Sequence, residues 1–182
     1  MIAVRIHGRG GQGAVTSSEL MALAAISEGK YAQAFPSFGP ERRGAPLQAY
    51  LRISDEPIYR REEVYHPDFV VVIDPALLTS PAVTKGLTEK GTLVVNTTRS
   101  FEEITQDCGF QGRIAKVDAN TIAEEELGVT ITNTTMLGAL LKASPLVELE
   151  SLKGPVEHRF GSIARKNIKA FLRAYNETII KE

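Results

Sequence analysis

Gly8-Arg9-Gly10-Gly11-Gln12-Gly13 follows a β-branched stretch, IAVRIH, and precedes a helix-forming one, AVTSSELMALAA. Glycines at a strand-to-helix turn allow positive φ and let a ligand approach the backbone closely. The N–H groups of the turn and of the helix start then face outward, aided by the helix dipole. The chemistry this permits is anion binding, above all of phosphate. The same glycines could instead serve only to pack the first helix tightly on the sheet.

The run is close to the dinucleotide fingerprint, but the rest of that fingerprint is missing. An acid about 20 residues on usually holds the ribose hydroxyls at the end of the second strand. Here the segment reads YAQAFPSFG, with no acid. Arg42-Arg43 comes next, in a Gly/Pro loop, and the guanidinium fork matches phosphate geometry. That combination suits NADP, or coenzyme A with its pyrophosphate and 3′-phosphate, and disfavours NAD. A solvated loop or a subunit contact is the alternative for the two arginines. Asn133 or Thr134, at a helix start, reads as an N-cap. Asp74-Pro75 ends the most apolar strand, as a ligand contact or as a helix-starting turn.

Composition limits what else the chain can do. It has 182 residues, 43% of them apolar and 24% charged, with a net charge of −1. This is enough for one domain, spanning 1–182, and gives no global pull toward nucleic acid or membrane. The single Cys108 cannot hold an iron–sulfur cluster, which needs about four thiolates. No metal-ligand spacing exists among His7, His66 and His158, and no nucleophile–base–orienter set is arranged, so neither metal nor catalytic residues are expected. Cys108 has no basic neighbour in sequence and reads as an inert thiol. No signal peptide and no run of about 18 apolar residues is present, and a cytoplasmic protein is expected.

The elements that must position these residues alternate. Strands are expected over 1–8, 30–35, 47–54, 68–74, 91–97 and 112–119, from β-branched and apolar runs. The strand at 47–54 alternates, predicting one exposed face, and comes too soon for a crossover, predicting an antiparallel neighbour. Helices are expected over 14–29, 120–128, 133–144 and 161–182, with short helical turns over 75–91. In the first, Leu20, Leu23, Ala24 and Ile26 form one apolar side and Gly29 takes the C′ position. In the last, Ile163, Ile168, Phe171, Leu172, Tyr175 and Ile179 face inward. The fold class is α/β, a three-layer α/β/α Rossmann-like domain on a mostly parallel, mixed sheet.

Three segments are together more specific than any fingerprint: GRGGQGAVTSSELMALAA, FPSFGPERRGAPLQAYLRIS and TNTTMLGALLK. They resemble the gamma subunit of the 2-oxoacid:ferredoxin oxidoreductases, in particular the pyruvate and 2-ketoisovalerate type, over essentially the whole chain. The resemblance implies a multi-subunit enzyme that decarboxylates a 2-oxoacid on thiamine diphosphate with Mg2+. Electrons pass through [4Fe–4S] clusters to ferredoxin, and the product is an acyl-coenzyme A. It places thiamine diphosphate in the alpha and beta subunits, the clusters in beta and delta, and this chain on the coenzyme A side. It also implies that Gly8 to Gly13 face the pyrophosphate, with Arg42 and Arg43 on the 3′-phosphate or on a partner subunit, and Asn133 and Thr134 completing the anion site unless they serve simply as an N-cap. A free-standing NADP- or flavin-binding reductase domain is the alternative.

Overall fold

Strand-forming and helix-forming segments alternate along the chain, and the computed structural model, which describes residues 1–37 and 43–182, arranges them around one sheet. The strands are β1 (Ile2–Arg9), β2 (Tyr31–Pro36), β3 (Pro46–Ser54), β4 (Phe69–Val72), β5 (Thr92–Asn96), β6 (Arg113–Val117) and β7 (Ile179–Lys181). The helices are α1 (Ala14–Ser27), α2 (Pro81–Thr84), α3 (Phe101–Cys108), α4 (Ala119–Leu127), α5 (Asn133–Ala143), α6 (Leu149–Phe160) and α7 (Ala164–Glu177). The sheet order is β2-β3-β1-β4-β5-β6-β7. Strands β1, β4, β5 and β6 run parallel, while β3 is antiparallel to β1 and β2, and β7 is antiparallel to β6. The sheet is mixed and carries helices on both faces, as the sequence predicts.

Each face buries its own set of residues. Val4 and Ile6 of β1, Leu51 of β3, Val71 of β4 and Val94 of β5 pack under α1, α5, α6 and α7. Val70, Val72, Leu93 and Val95 point the other way, onto Leu78, Val83 and Ile104. Alternation along each strand produces this division, because successive side chains leave opposite faces. Helix α1 ends as expected: Gly29, at φ 79°, donates to Ile26 while Lys30 donates to Ala25. These two bonds satisfy carbonyls that the last turn would otherwise leave open.

Several expectations are corrected. Leu23 and Ile26 of α1 are exposed, because the buried stripe runs instead through Leu20, Met21, Ala24 and Ala25. Strand β3 has no exposed face: Tyr50 and Arg52 are buried, since the segment after β3 folds back and Arg52 Nη2 donates to the Glu62 carbonyl at 2.6 Å. The C-terminal helix stops at Glu177, and Ile179 lies exposed on β7 rather than inward on a helix. β-branched Thr178, Ile179 and Ile180 favour the extended pairing with β6. Ile163 precedes α7 in a short 3-10 turn and is exposed. Helices α3 and α6 go beyond the expected set. Ser100 and Glu103 form a capping box that starts α3. α6 carries Pro155 inside it, which masks its periodicity.

Candidate functional site

Strand β1 leads through α1 to β2 and β3 on one side of the sheet, while its neighbour β4 leads to β5 on the other. The carboxyl ends of β1 and β4 therefore diverge, which is where ligands enter open α/β sheets. The glycine turn leaves β1 at this place. Gly11 and Gly13 take φ of 93° and 82°, a region that residues with a Cβ occupy at a cost. Gln12 folds back so that its Oε1 accepts from Arg9 N at 2.6 Å, while its own N–H donates to Arg9 O at 2.9 Å.

A second segment runs alongside the turn. Gly10 N donates to Ala45 O at 2.9 Å and Gly44 N to Gly10 O at 3.0 Å, so residues 43–45 lie along the turn just beyond the β1–β3 pairing, with Gly10 and Arg43 in an isolated parallel bridge. This brings Arg43 next to Gly11, with its Cγ 4.0 Å from where a Cβ on residue 11 would stand. Arg43 is exposed, and its guanidinium has no hydrogen bond or ion pair among the described residues. Arg42 lies outside the described residues.

Arg9 behaves differently from Arg43. Its Nε donates to Asp74 Oδ2 at 2.6 Å, and its Nη1 to Gly44 O at 3.2 Å. Asp74 also accepts from Ala76 N through Oδ1 at 3.0 Å and from Gln12 Nε2 at 3.4 Å. Arg9 is thus committed to the turn, and its charge is already balanced.

Two hollows flank the glycines. One, of about 250 Å³, is lined by Gly11, Gly13, Ala14, Val15, Thr16 and Leu47 at the start of α1. The backbone N–H groups of Gly11, Gly13, Ala14, Val15 and Thr16 have no partner among the described residues. The first turn of a helix leaves such donors open, and an anion satisfies them. The other is a crevice of about 170 Å³ between the ends of β1 and β4, bounded by Gln12, Asp74, Asn120 and Thr130 to Thr132. Buried Asn96 stitches its floor, with Nδ2 donating to Ile73 O at 2.9 Å and to Asn120 Oδ1 at 3.0 Å.

Asn133 and Thr134 part company. Asn133 begins α5 beside the glycine turn: its side chain packs on Gly13, and its carbonyl accepts from Ser17 Oγ at 3.3 Å. Thr134 is fully buried and donates to Asn167 Oδ1 of α7 at 2.7 Å. Neither caps the helix; Thr132 is the flanking residue and makes no side-chain cap bond. The roles of Asp74 in holding Arg9 and of Asn96 across the floor depend on contacts between strands far apart in sequence, so spacing does not reveal them.

The opposite face of β1 is polar and buried. Arg5 Nε donates to His7 Nε2 at 2.9 Å, and its Nη2 to the Lys85 carbonyl at 2.6 Å near the end of α2. Burial, and then the Arg5 charge, push the His7 pKa down to about 3. Burial also lowers the Arg5 and Arg52 pKa values and raises that of Cys108, whose Sγ donates to Ile104 O at 3.1 Å. Among the described residues no group of three His, Cys, Asp or Glu could hold a metal ion, and no helix is long and apolar enough to cross a membrane.

The family model of pyruvate ferredoxin/flavodoxin oxidoreductase matches residues 3–177. The chain is 50% identical to the pyruvate/ketoisovalerate oxidoreductases common subunit gamma of Thermococcus kodakarensis, covering the whole of both chains. It superposes with a TM-score of 0.90 and 44% identity on the pyruvate oxidoreductase subunit PORC of Thermotoga maritima, covering 100% of this chain and 98% of that one. The fold also occurs, with a TM-score of 0.76 and 19% identity, in 2-oxoglutarate:ferredoxin oxidoreductase from Magnetococcus marinus, solved with 2-oxoglutarate, coenzyme A and succinyl-CoA bound. That match covers 96% of this chain and 30% of the larger one.

Proposed function

The chain belongs to the pyruvate ferredoxin/flavodoxin oxidoreductase family, as a gamma subunit of the pyruvate/ketoisovalerate ferredoxin oxidoreductase complex, and on that premise we propose that it binds the phosphates of coenzyme A at the start of α1. The observation that carries this reading is the set of open N–H donors of Gly11 and Gly13 to Thr16, with the side chain of Arg43 next to Gly11 and its guanidinium unpaired among the described residues. Donors fixed on a backbone need little reorganisation to receive an anion, and a fork-shaped cation adds a second, charge-assisted grip. Gly8 leaves room for the folded-back Gln12 side chain, and Gly10 bonds to Gly44 and Ala45. Arg9 and Gln12 hold its shape, and Asn133 supports it from α5.

The hollow of about 250 Å³ is smaller than the roughly 300–1,000 Å³ of a complete ligand pocket. It accommodates a phosphate group and its neighbours, with the rest of the coenzyme lying toward a partner subunit. Residues 1–182 act as one domain in this reading. Coenzyme A supplies the thiol that accepts the acyl group, and this chain holds the nucleotide end so that the thiol is positioned. The alpha, beta and delta subunits carry thiamine diphosphate, Mg2+ and the [4Fe–4S] clusters, with ferredoxin as acceptor in the cytoplasm. The isolated chain is inactive.

The test is a coenzyme A titration of the assembled complex carrying Gly11→Val, whose Cβ is strained at φ 93°. A higher KM for coenzyme A with an unchanged kcat is expected. A loss of 2-oxoacid decarboxylation with normal coenzyme A dependence would overturn the reading, as would NADPH oxidation by the isolated chain.

A further inference from the structure

The geometry points to Asp74 as a positioning residue for the coenzyme, acting through Arg9 and Gln12; this rests on the phosphate-binding reading above. One carboxylate joins three parts of the site. Oδ2 accepts from Arg9 Nε at 2.6 Å, at the end of β1, and from Gln12 Nε2 at 3.4 Å, in the turn that follows. Oδ1 accepts from Ala76 N at 3.0 Å in the turn after β4. Through Arg9 Nη1 and the Gly44 carbonyl the same network reaches the segment that carries Arg43. Asp74 thereby fixes the distance between the open N–H donors and the backbone segment from which Arg43 projects.

The pair has a second consequence. Arg9 and Asp74 sum to no net charge, and the Asp74 side chain lines the crevice between β1 and β4. That crevice, at the switch point where ligands enter a doubly wound sheet, therefore has no net positive charge to draw an anion. The α1 side has open donors and Arg43, which no carboxylate among the described residues neutralises. Asp74 thus sets on which side of the glycine turn the phosphate rests, and leaves hydroxyl and amide partners (Asn120, Thr130, Thr132) for an uncharged part of the coenzyme.

The experiment compares complexes assembled with Asp74→Asn, Arg9→Gln, the double variant, Asp74→Glu and Gly11→Val, reading kcat and KM for coenzyme A with thermal stability measured in parallel. Asp74→Asn and Arg9→Gln are each expected to raise KM about tenfold at unchanged kcat, the scale of one charge-assisted hydrogen bond. The double variant is expected to be no worse than either single one, because the two residues act as a unit, and Asp74→Glu to recover part of the loss. Additive losses, or a KM increase that follows thermal stability across the series, would reduce Asp74 to a structural part and overturn the inference. If Gly11→Val raises KM while Asp74→Asn does not, Asp74 has no positioning role and the phosphate-binding reading survives. If neither raises KM, that reading falls as well.

Discussion

Gly13 and Asn133 approach so closely that a Cβ on residue 13 would stand 2.6 Å from Asn133 Nδ2. The glycine that opens α1 is thus required twice, by this contact and by its φ of 82°. Gly13→Ala is expected to destabilise the fold by about 1–3 kcal/mol, the scale of a residue held in the left-handed region. Gly13→Ala with Asn133→Gly should recover the steric part but not the conformational part. Thermal unfolding of the parent and the two variants checks this, and a Gly13→Ala chain as stable as the parent would show that the turn relaxes freely.

The close approach of α5 and α7 supplies a second prediction. At Gly138 a Cβ would lie 1.9 Å from the carbonyl oxygen of Phe171, a backbone atom that cannot swing aside. Gly138→Ala must therefore push the helices apart around a fully buried Phe171. A loss of about 3 kcal/mol is expected, at the upper end of ordinary overpacking. The midpoint of urea unfolding reads it directly, and an unshifted midpoint would rule out the contact.

These two glycines show where sequence reading stops. The glycine turn after β1, the antiparallel β3 and the buried runs of β4 and β5 follow from residue type and local period. Gly138 sits inside an ordinary helical pattern, and its partner Phe171 belongs to a different helix. Arg43 and Asp74 have the same limitation. Type and position mark both, but only the fold shows that Asp74 takes up Arg9 and leaves Arg43 open among the described residues. Arg5 and His7 lie in a strand that reads as apolar, and their burial depends on residues 62–64 and 82–85 folding over that face. Local pattern cannot register a covering segment that arrives from elsewhere.

His7 makes stability depend on pH in a definite direction. Burial and Arg5 hold its pKa at about 3, against 6.5 for the free side chain. Between these values the unfolded chain binds a proton that the folded chain does not, so stability rises with pH in that window. The contribution is constant above pH 6.5 and is lost progressively as pH falls toward 3. His7→Gln keeps an acceptor for Arg5 Nε but does not titrate. Urea unfolding at about pH 4, 5, 6 and 7 should show a shallower acid loss for this variant, and parallel curves for the two proteins would contradict the assignment.

Arg43 separates two ways of holding the coenzyme. Its guanidinium stabilises nothing within the described residues, so Arg43→Ala should leave thermal unfolding unchanged. In the assembled complex the same variant should raise KM for coenzyme A by about 10- to 100-fold, as loss of a hydrogen-bonded charge does. Comparison with dephospho-coenzyme A then locates the contact. If Arg43 grips the 3′-phosphate, KM for the dephospho form is the same in parent and variant, because the group it would hold is already gone. If it grips the pyrophosphate beside the open N–H donors, the variant loses affinity for both forms equally. Arg43→Lys keeps the charge without the fork, and its KM should fall between those of parent and alanine variant. An Arg43→Ala complex with unchanged KM for both coenzymes but weakened subunit assembly would make Arg43 a docking residue instead.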